Sequence, residues 1–147
     1  MRSPYTEMAH HPLPGTEMPV ARGRILVVDD DPDLRRVLVS ILVDEGYGVV
    51  EAANGADALE ILREDRSFIL ILLDLVMPVL DGWQFREEQS GDPALALIPV
   101  VAMSTYASHG EHVPPQATPY LEKPFRASVL LGIIKTNARA PTISESR

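Results

Sequence analysis

Several reactive side chains in this sequence stand at the same kind of place, directly after a short apolar run. Asp29, Asp30 and Asp31 follow Ile25-Leu-Val-Val28, Asp74 follows Phe68-Ile-Leu-Ile-Leu-Leu73 and Ser104 follows Val100-Val-Ala-Met103, while Lys123 follows a shorter, mixed strand stretch, Tyr120-Leu-Glu122. Runs of this length, bounded by turn residues, read as parallel strands buried on both faces. In an open parallel α/β sheet, ligands bind at the carboxyl ends of the strands. One such sheet would therefore line up Asp29, Asp30, Asp74, Ser104 and Lys123 along a single edge. Three carboxylates cannot share a small site as bare anions, because like charges at contact raise each other's pKa. A hard divalent cation resolves the conflict, and oxygen ligands with retained waters describe Mg2+, held by one or two carboxylates plus phosphate oxygens. A lysine and a hydroxyl beside it would bind the remaining oxygens of a phosphoryl group. Asp74 is then a carboxylate nucleophile, and the product is an aspartyl phosphate.

Each residue also has a bland reading. Asp74 alone could be a solvated loop aspartate, Lys123 a surface lysine, Ser104 a strand end and Tyr120 ordinary strand packing. Asp31 reads as a first-turn acid favoured by the helix dipole, with the ligand role left to its neighbours. Their joint placement argues for chemistry.

The elements that must position these residues follow from the hydrophobic pattern. After the strand at 25–28, Pro32 opens a helix at a position where its missing N–H costs nothing. Leu34, Val37, Leu38, Ile41 and Leu42 make one apolar stripe, and Gly46 ends the helix. A strand at 49–52 leads to Asn54, a helix cap, and a helix over 55–63 with Ala58, Leu59 and Leu62 inward. The strand at 68–73 precedes a loop shaped by Pro78 and Asp81-Gly82, read as a fixed φ and a tolerated positive φ. A short helix over 83–89, a strand at 100–103, a strand at 120–122 and a helix over 127–135 with Val129, Leu130, Ile133 and Ile134 apolar complete the fold. Alternation of strand and helix implies βαβ crossovers and a parallel sheet.

Composition bounds the alternatives. The 147 residues suit one domain, and the absence of cysteine excludes disulfides, thiolate metal sites and thiol nucleophiles. A net charge of −8 argues against a nucleic-acid surface. No apolar run is long enough to span a membrane and no signal peptide is evident, so no membrane partner and a cytoplasmic location are expected. Residues 1–22 hold Pro4, Pro12, Pro14 and Pro19 without hydrophobic period and read as a disordered tail, in which His10-His11 is a solvated pair rather than a metal site. Residues 136–147 read as a flexible C-terminal tail, leaving 23–135 as the folded domain.

With these motifs in place, the chain resembles a response-regulator receiver domain of two-component signalling. The resemblance spans about 24–135. Val27-Val-Asp29-Asp30-Asp31-Pro32 is similar to the family's acidic pair after strand one, and Asp74-Leu-Val-Met-Pro78-Val-Leu-Asp81-Gly82 to its phosphorylation loop. Ile98-Pro-Val-Val-Ala-Met-Ser104 is similar to the fourth strand with its switch hydroxyl, and Tyr120-Leu-Glu-Lys123-Pro124-Phe125 to the switch aromatic and lysine motif. It implies a flavodoxin-like doubly wound sheet of five parallel strands, order 2-1-3-4-5. By the same resemblance Asp74 is phosphorylated, Asp30, Asp74 and the carbonyl of Val76 hold Mg2+ directly, and Asp29 holds it mainly through water. Ser104 would bind the phosphoryl group, Lys123 neutralise it, and Tyr120 act with Ser104 as the switch. The partners implied are a sensor histidine kinase or phosphotransfer protein as donor, and an unknown downstream protein bound by a stand-alone receiver that is a monomer or weak homodimer.

The departures from the family pattern carry expectations of their own. Thr105 stands where a small residue is usual and would tighten access to Asp74, and Arg86 replaces an apolar residue of helix three, leaving Trp83 and Phe85 as anchors. Val76 and Tyr106 flank the approach of water and would lengthen the phosphorylated state. Residues 108–119 hold Gly110, Pro114, Pro115 and Pro119, so a Pro/Gly-rich loop should replace the family's fourth helix, the one between strands four and five. Two alternatives stay open. A Mg2+-dependent phosphatase with an aspartate nucleophile would need an acid two residues after it, where Val76 stands; a pseudo-receiver would bind its partner without phosphorylation.

Overall fold

A computed structural model describes residues 22–105 and 118–141. Residues 1–21 with His10-His11, residues 106–117 with Tyr106 and most of the Pro/Gly-rich connection, and residues 142–147 lie outside the described residues.

The described chain runs β1 (Arg24–Val28), α1 (Pro32–Asp44), β2 (Gly48–Ala52), α2 (Gly55–Glu64), β3 (Leu70–Asp74), α3 (Gly82–Ser90), a single-turn α4 (Pro93–Ala96), β4 (Val100–Ser104), β5 (Tyr120–Glu122) and α5 (Ala127–Asn137). The strands form one parallel sheet of order β2-β1-β3-β4-β5, as expected. Side chains of a strand alternate between faces, and the core divides accordingly. Ile25, Val27, Leu70, Leu72, Val101 and Met103 pack with Leu38 and Leu42 of α1 and Leu130 and Ile134 of α5. Leu26, Val28, Ile71, Leu73 and Val100 pack with Ala58 and Leu62 of α2 and Phe85 of α3. Every residue of β3 and β4 is buried, which is why both read as unbroken apolar runs.

Local chemistry accounts for most element ends. Asp31 caps α1, accepting from the Asp33 and Leu34 amides, and Pro32 takes the first helical position. Gly46, at φ +98°, turns the chain out of α1 into β2. Asn54 caps α2, and Asp81 with Gln84 forms a capping box on α3.

Some expectations are corrected. Val37 and Val129 are 54% and 51% exposed rather than inward, because the buried faces of α1 and α5 are narrower than their apolar stripes. The positive φ of the β3–α3 loop falls on Val79 (φ 74°), not on Asp81-Gly82. Gly82 is needed for space instead: a Cβ there would stand 2.7 Å from the Leu75 Cα and 2.8 Å from the Asp74 carbonyl oxygen. α4 was not read from the sequence, although Asp92 caps it and Pro93 opens it. α5 continues to Asn137, past the expected boundary at 135, as Asn137 Nδ2 donates to the Ile133 carbonyl. Beyond it Arg139 is fixed by its own amide on Ile69 O (3.1 Å) and its side chain on Phe68 O (2.9 Å) and Arg66 O (2.7 Å).

Candidate functional site

The parallel register brings the ends of β1, β3, β4 and β5 to one edge, and with them the expected residues. Asp29 leaves β1 fully buried. Its amide continues the β2 ladder onto Ala52 O (3.1 Å), its Oδ1 accepts from the Asp31 amide (2.9 Å), and its Oδ2 accepts from Lys123 Nζ (2.9 Å). Asp74, 4% exposed, is the last residue of β3 rather than the first after it. Its Oδ1 lies 3.5 Å from Lys123 Nζ and accepts from the Val76 amide at 3.3 Å. Asp30 is exposed beside them, and one carboxylate oxygen from each of Asp29, Asp30 and Asp74 lies within 4.8 Å of the others.

This cluster carries an electrostatic conflict: three carboxylates face one ammonium. Burial, then the Asp29 charge, raise the Asp74 carboxyl to about 7; Lys123 and the Val76 N–H pull the other way, and Asp30 adds to the rise. Burial lowers the pKa of Lys123, but the Asp29 hydrogen bond and the charges of Asp74 and Asp29 outweigh it, so the ammonium is held above its usual range. A buried carboxylate in that state is short of positive charge. The donor set fits a hard divalent cation: convergent carboxylate oxygens, no sulfur or imidazole among the described residues, and a deficit one Lys does not cover.

Ser104 is the last residue of β4 and 1% exposed. Its carbonyl accepts from the Lys123 amide (3.0 Å) and from the Tyr120 hydroxyl (2.6 Å), so β5 grips the end of β4 at this residue. Tyr120 is half-buried with its hydroxyl turned toward β4. Thr105 and Val76 are exposed at the rim. The β3–α3 loop is held by Gly82 N on Leu75 O (3.0 Å) and by Gly55 N on Leu80 O (3.2 Å). Arg86 lies away from this edge and donates to Gln89 Oε1 (2.7 Å), whose amide serves the Leu95 and Ile98 carbonyls. Sequence reading passed over Arg35, which reaches from α1 to the Asp29 carbonyl (2.6 Å) and to Glu51 of β2 (3.0 Å). Its signal, an Arg and a Glu of opposite charge, becomes visible only once β1 and β2 are known to pair.

The response regulator receiver domain model matches residues 25–135. The response regulator receiver protein CpdR of Brucella abortus is 37% identical over 113 residues, covering 76% of this chain and 93% of that one. Protein PilH of Pseudomonas aeruginosa is 33% identical over 115 residues, covering 76% and 94% respectively. Among solved structures, the receiver domain of sensor histidine kinase PA1611 from P. aeruginosa superposes with a TM-score of 0.73 at 30% identity, covering 79% of this chain and 97% of that one; its structure has a magnesium ion coordinated in the active-site cleft.

Proposed function

The chain belongs to the response regulator receiver domain family, signalling modules of two-component systems, and from that membership and the site geometry we propose that Asp74 is its phosphoacceptor. The observation that carries this is the convergence of the Asp29, Asp30 and Asp74 oxygens within 4.8 Å, with Lys123 Nζ 2.9 Å from Asp29 and 3.5 Å from Asp74.

Asp30, Asp74 and the Val76 carbonyl would hold Mg2+, and Asp29 would reach it through water. When bound, the ion supplies the positive charge that keeps Asp74 ionised at neutral pH and neutralises phosphoryl oxygens. The remaining work is done by the chain itself. The Asp74 carboxylate attacks phosphorus in line with the leaving group and the new O–P bond forms as the donor's bond breaks. Lys123, already aimed at the Asp74 oxygen by its hold on Asp29, binds one transferred oxygen as charge develops. Ser104 binds another. Its carbonyl is gripped by Tyr120 and Lys123, so a shift of Ser104 toward the phosphoryl group would pull on β5 and the Tyr120 ring, which is the switch read by a downstream protein. The donor is a phosphohistidine of a sensor histidine kinase or phosphotransfer protein in the cytoplasm, and output is by protein–protein contact of a monomer or weak homodimer.

The test is incubation with a small acyl-phosphate donor, with and without Mg2+, read by intact mass. One phosphoryl mass should appear only with Mg2+, and Asp74→Asn should abolish it. Unchanged uptake by Asp74→Asn would remove the assignment.

A further inference from the structure

The two acids of β1 are held very differently. Both Asp29 carboxylate oxygens are engaged, one by the Asp31 amide and one by Lys123. The Asp30 carboxylate has no hydrogen bond from the described residues, and the residue is exposed. Its direction therefore depends on the backbone that carries it, above all on the peptide plane joining Asp29 to Asp30, since rotating that plane swings the Asp30 Cβ. One edge of this plane is the Asp29 carbonyl. Arg35 Nη1 donates to that carbonyl at 2.6 Å, while its Nε donates to Glu51 Oε1 at 3.0 Å. The guanidinium side chain is only 18% exposed, and Glu51 sits on β2 one residue before Ala52, whose carbonyl takes the Asp29 amide. Both polar groups of the Asp29 backbone are thus tied to β2, one directly and one through Arg35.

We infer that Arg35 is a positioning residue for Asp30: its guanidinium, anchored on Glu51, fixes the Asp29–Asp30 peptide and so aims the Asp30 carboxylate at the divalent-cation site. The inference rests on the Mg2+ site proposed above. It also runs against simple charge logic, which makes it discriminating. A cation near the cluster repels Mg2+, so by Coulomb's law alone removal of Arg35 would tighten Mg2+ binding. As a positioning residue its loss weakens binding, in the manner of groups that orient metal ligands from outside the coordination sphere. The planar fork explains why Arg is needed: a lysine ammonium is a point donor and cannot hold the two acceptors in one fixed geometry.

The experiment is an Mg2+ titration of the full chain, without phosphodonor, followed by NMR of the backbone amides around Asp30 and Asp74. Arg35→Ala should raise the Kd by roughly tenfold, and Arg35→Lys should not restore it. Arg36→Ala removes the same charge one residue along, from a side chain 74% exposed and paired with Asp33, and should bind at least as tightly as the parent. Glu51→Ala and Glu51→Gln remove the same charge, but only the glutamine keeps an acceptor for Nε; the alanine should weaken binding more. This pair decides the matter if Arg35→Ala does not fold. Arg35→Ala binding as tightly as Arg36→Ala, or equal Kd values for the two Glu51 variants, would overturn the positioning role alone. Absence of Mg2+ binding by the parent would overturn the metal site itself and this inference with it.

Discussion

The two ends of the same buried strands are finished in opposite ways. At the amino end, Arg24 and Arg139 are both engaged within the chain. Arg24 pairs with Asp65 and lies over the Phe68 ring at 4.6 Å, and Arg139 donates to the Phe68 and Arg66 carbonyls. At the carboxyl end the charges are carboxylates in excess of the one ammonium that reaches them, and Asp74 is raised to about 7 as a result. One edge is closed by its own sequence. The other is left with a charge deficit of the kind a divalent cation would relieve, which is the difference expected between an end that only has to be stable and one proposed to react.

The contrast is broken most completely by removing the conflict. Asp74→Asn should eliminate the proposed phosphorylation, yet it should stabilise the metal-free protein, because a carboxamide needs no counter-charge where a buried carboxylate does. Mg2+ should stabilise the parent by about 2.7 kcal/mol at a concentration roughly 100 times its Kd, and the variant far less. Thermal melts with and without the ion check both. A parent no more responsive to Mg2+ than Asp74→Asn would mean that the carboxyl edge is not short of positive charge.

Acid should relieve the same conflict. A carboxyl whose folded pKa is raised binds its proton more tightly in the folded state, so its protonation favours folding. That contribution is fully present below the unfolded value near 4 and is lost as the pH rises through the folded value of about 7. The metal-free parent should therefore lose stability, relative to Asp74→Asn, as the pH rises from 4 to 7. Parallel melting curves for the two proteins over that range would show that Asp74 is no better protonated in the folded chain than in the unfolded one.

The carboxyl edge was legible in sequence because its residues share one simple rule. Asp29, Asp74, Ser104 and Lys123 each stand at or beside the last residue of a strand, and an all-apolar run such as 70–73 marks a doubly covered strand without a structure. What was not legible depends on separations the chain closes only when folded. Arg35 meets Glu51 across 16 residues and Arg139 meets Phe68 across 71, and neither contact has a local signature. Stripe width was also over-read: Val37 and Val129 satisfy a helical period yet face solvent, since periodicity gives the direction of a buried face but not its breadth.

The closed edge can be opened next. Arg139→Ala removes two side-chain bonds to carbonyls of the segment before β3 and should cost about 1–3 kcal/mol, measured by urea unfolding. Mg2+ affinity should stay at the parental value, since five residues of strand separate the edges by about 16 Å, beyond the Debye length of about 8 Å at physiological salt. A Kd that moved with Arg139 would show that the two ends are coupled through β3 and not independently finished.

The smallest effect concerns backbone conformation. Left-handed φ values occur at both edges, but at the amino edge they fall on Gly23 and Gly46, whereas at the carboxyl edge the residue is Val79 at φ 74°. A branched Cβ in that region costs about 1–2 kcal/mol, and at 75% exposure the valine gains little burial in return. Leu80 beside it is held by the Gly55 amide and donates its own amide across Val79 to the Pro78 carbonyl (2.9 Å), and Asp81 is held by the α3 cap, so Val79 is the centre of a tight three-residue turn. Val79→Asn, which tolerates the conformation, should raise stability by about 1 kcal/mol. Val79→Ala removes the branching but lacks the short polar side chain that bonds the local backbone, and should gain less. Val79→Gly should fall between them, because glycine's extra unfolded freedom, about 0.5–1 kcal/mol, offsets part of the relief. Equal stability of all three variants with the parent, by urea unfolding, would show that Val79 carries no strain and that the two edges do not differ in this respect.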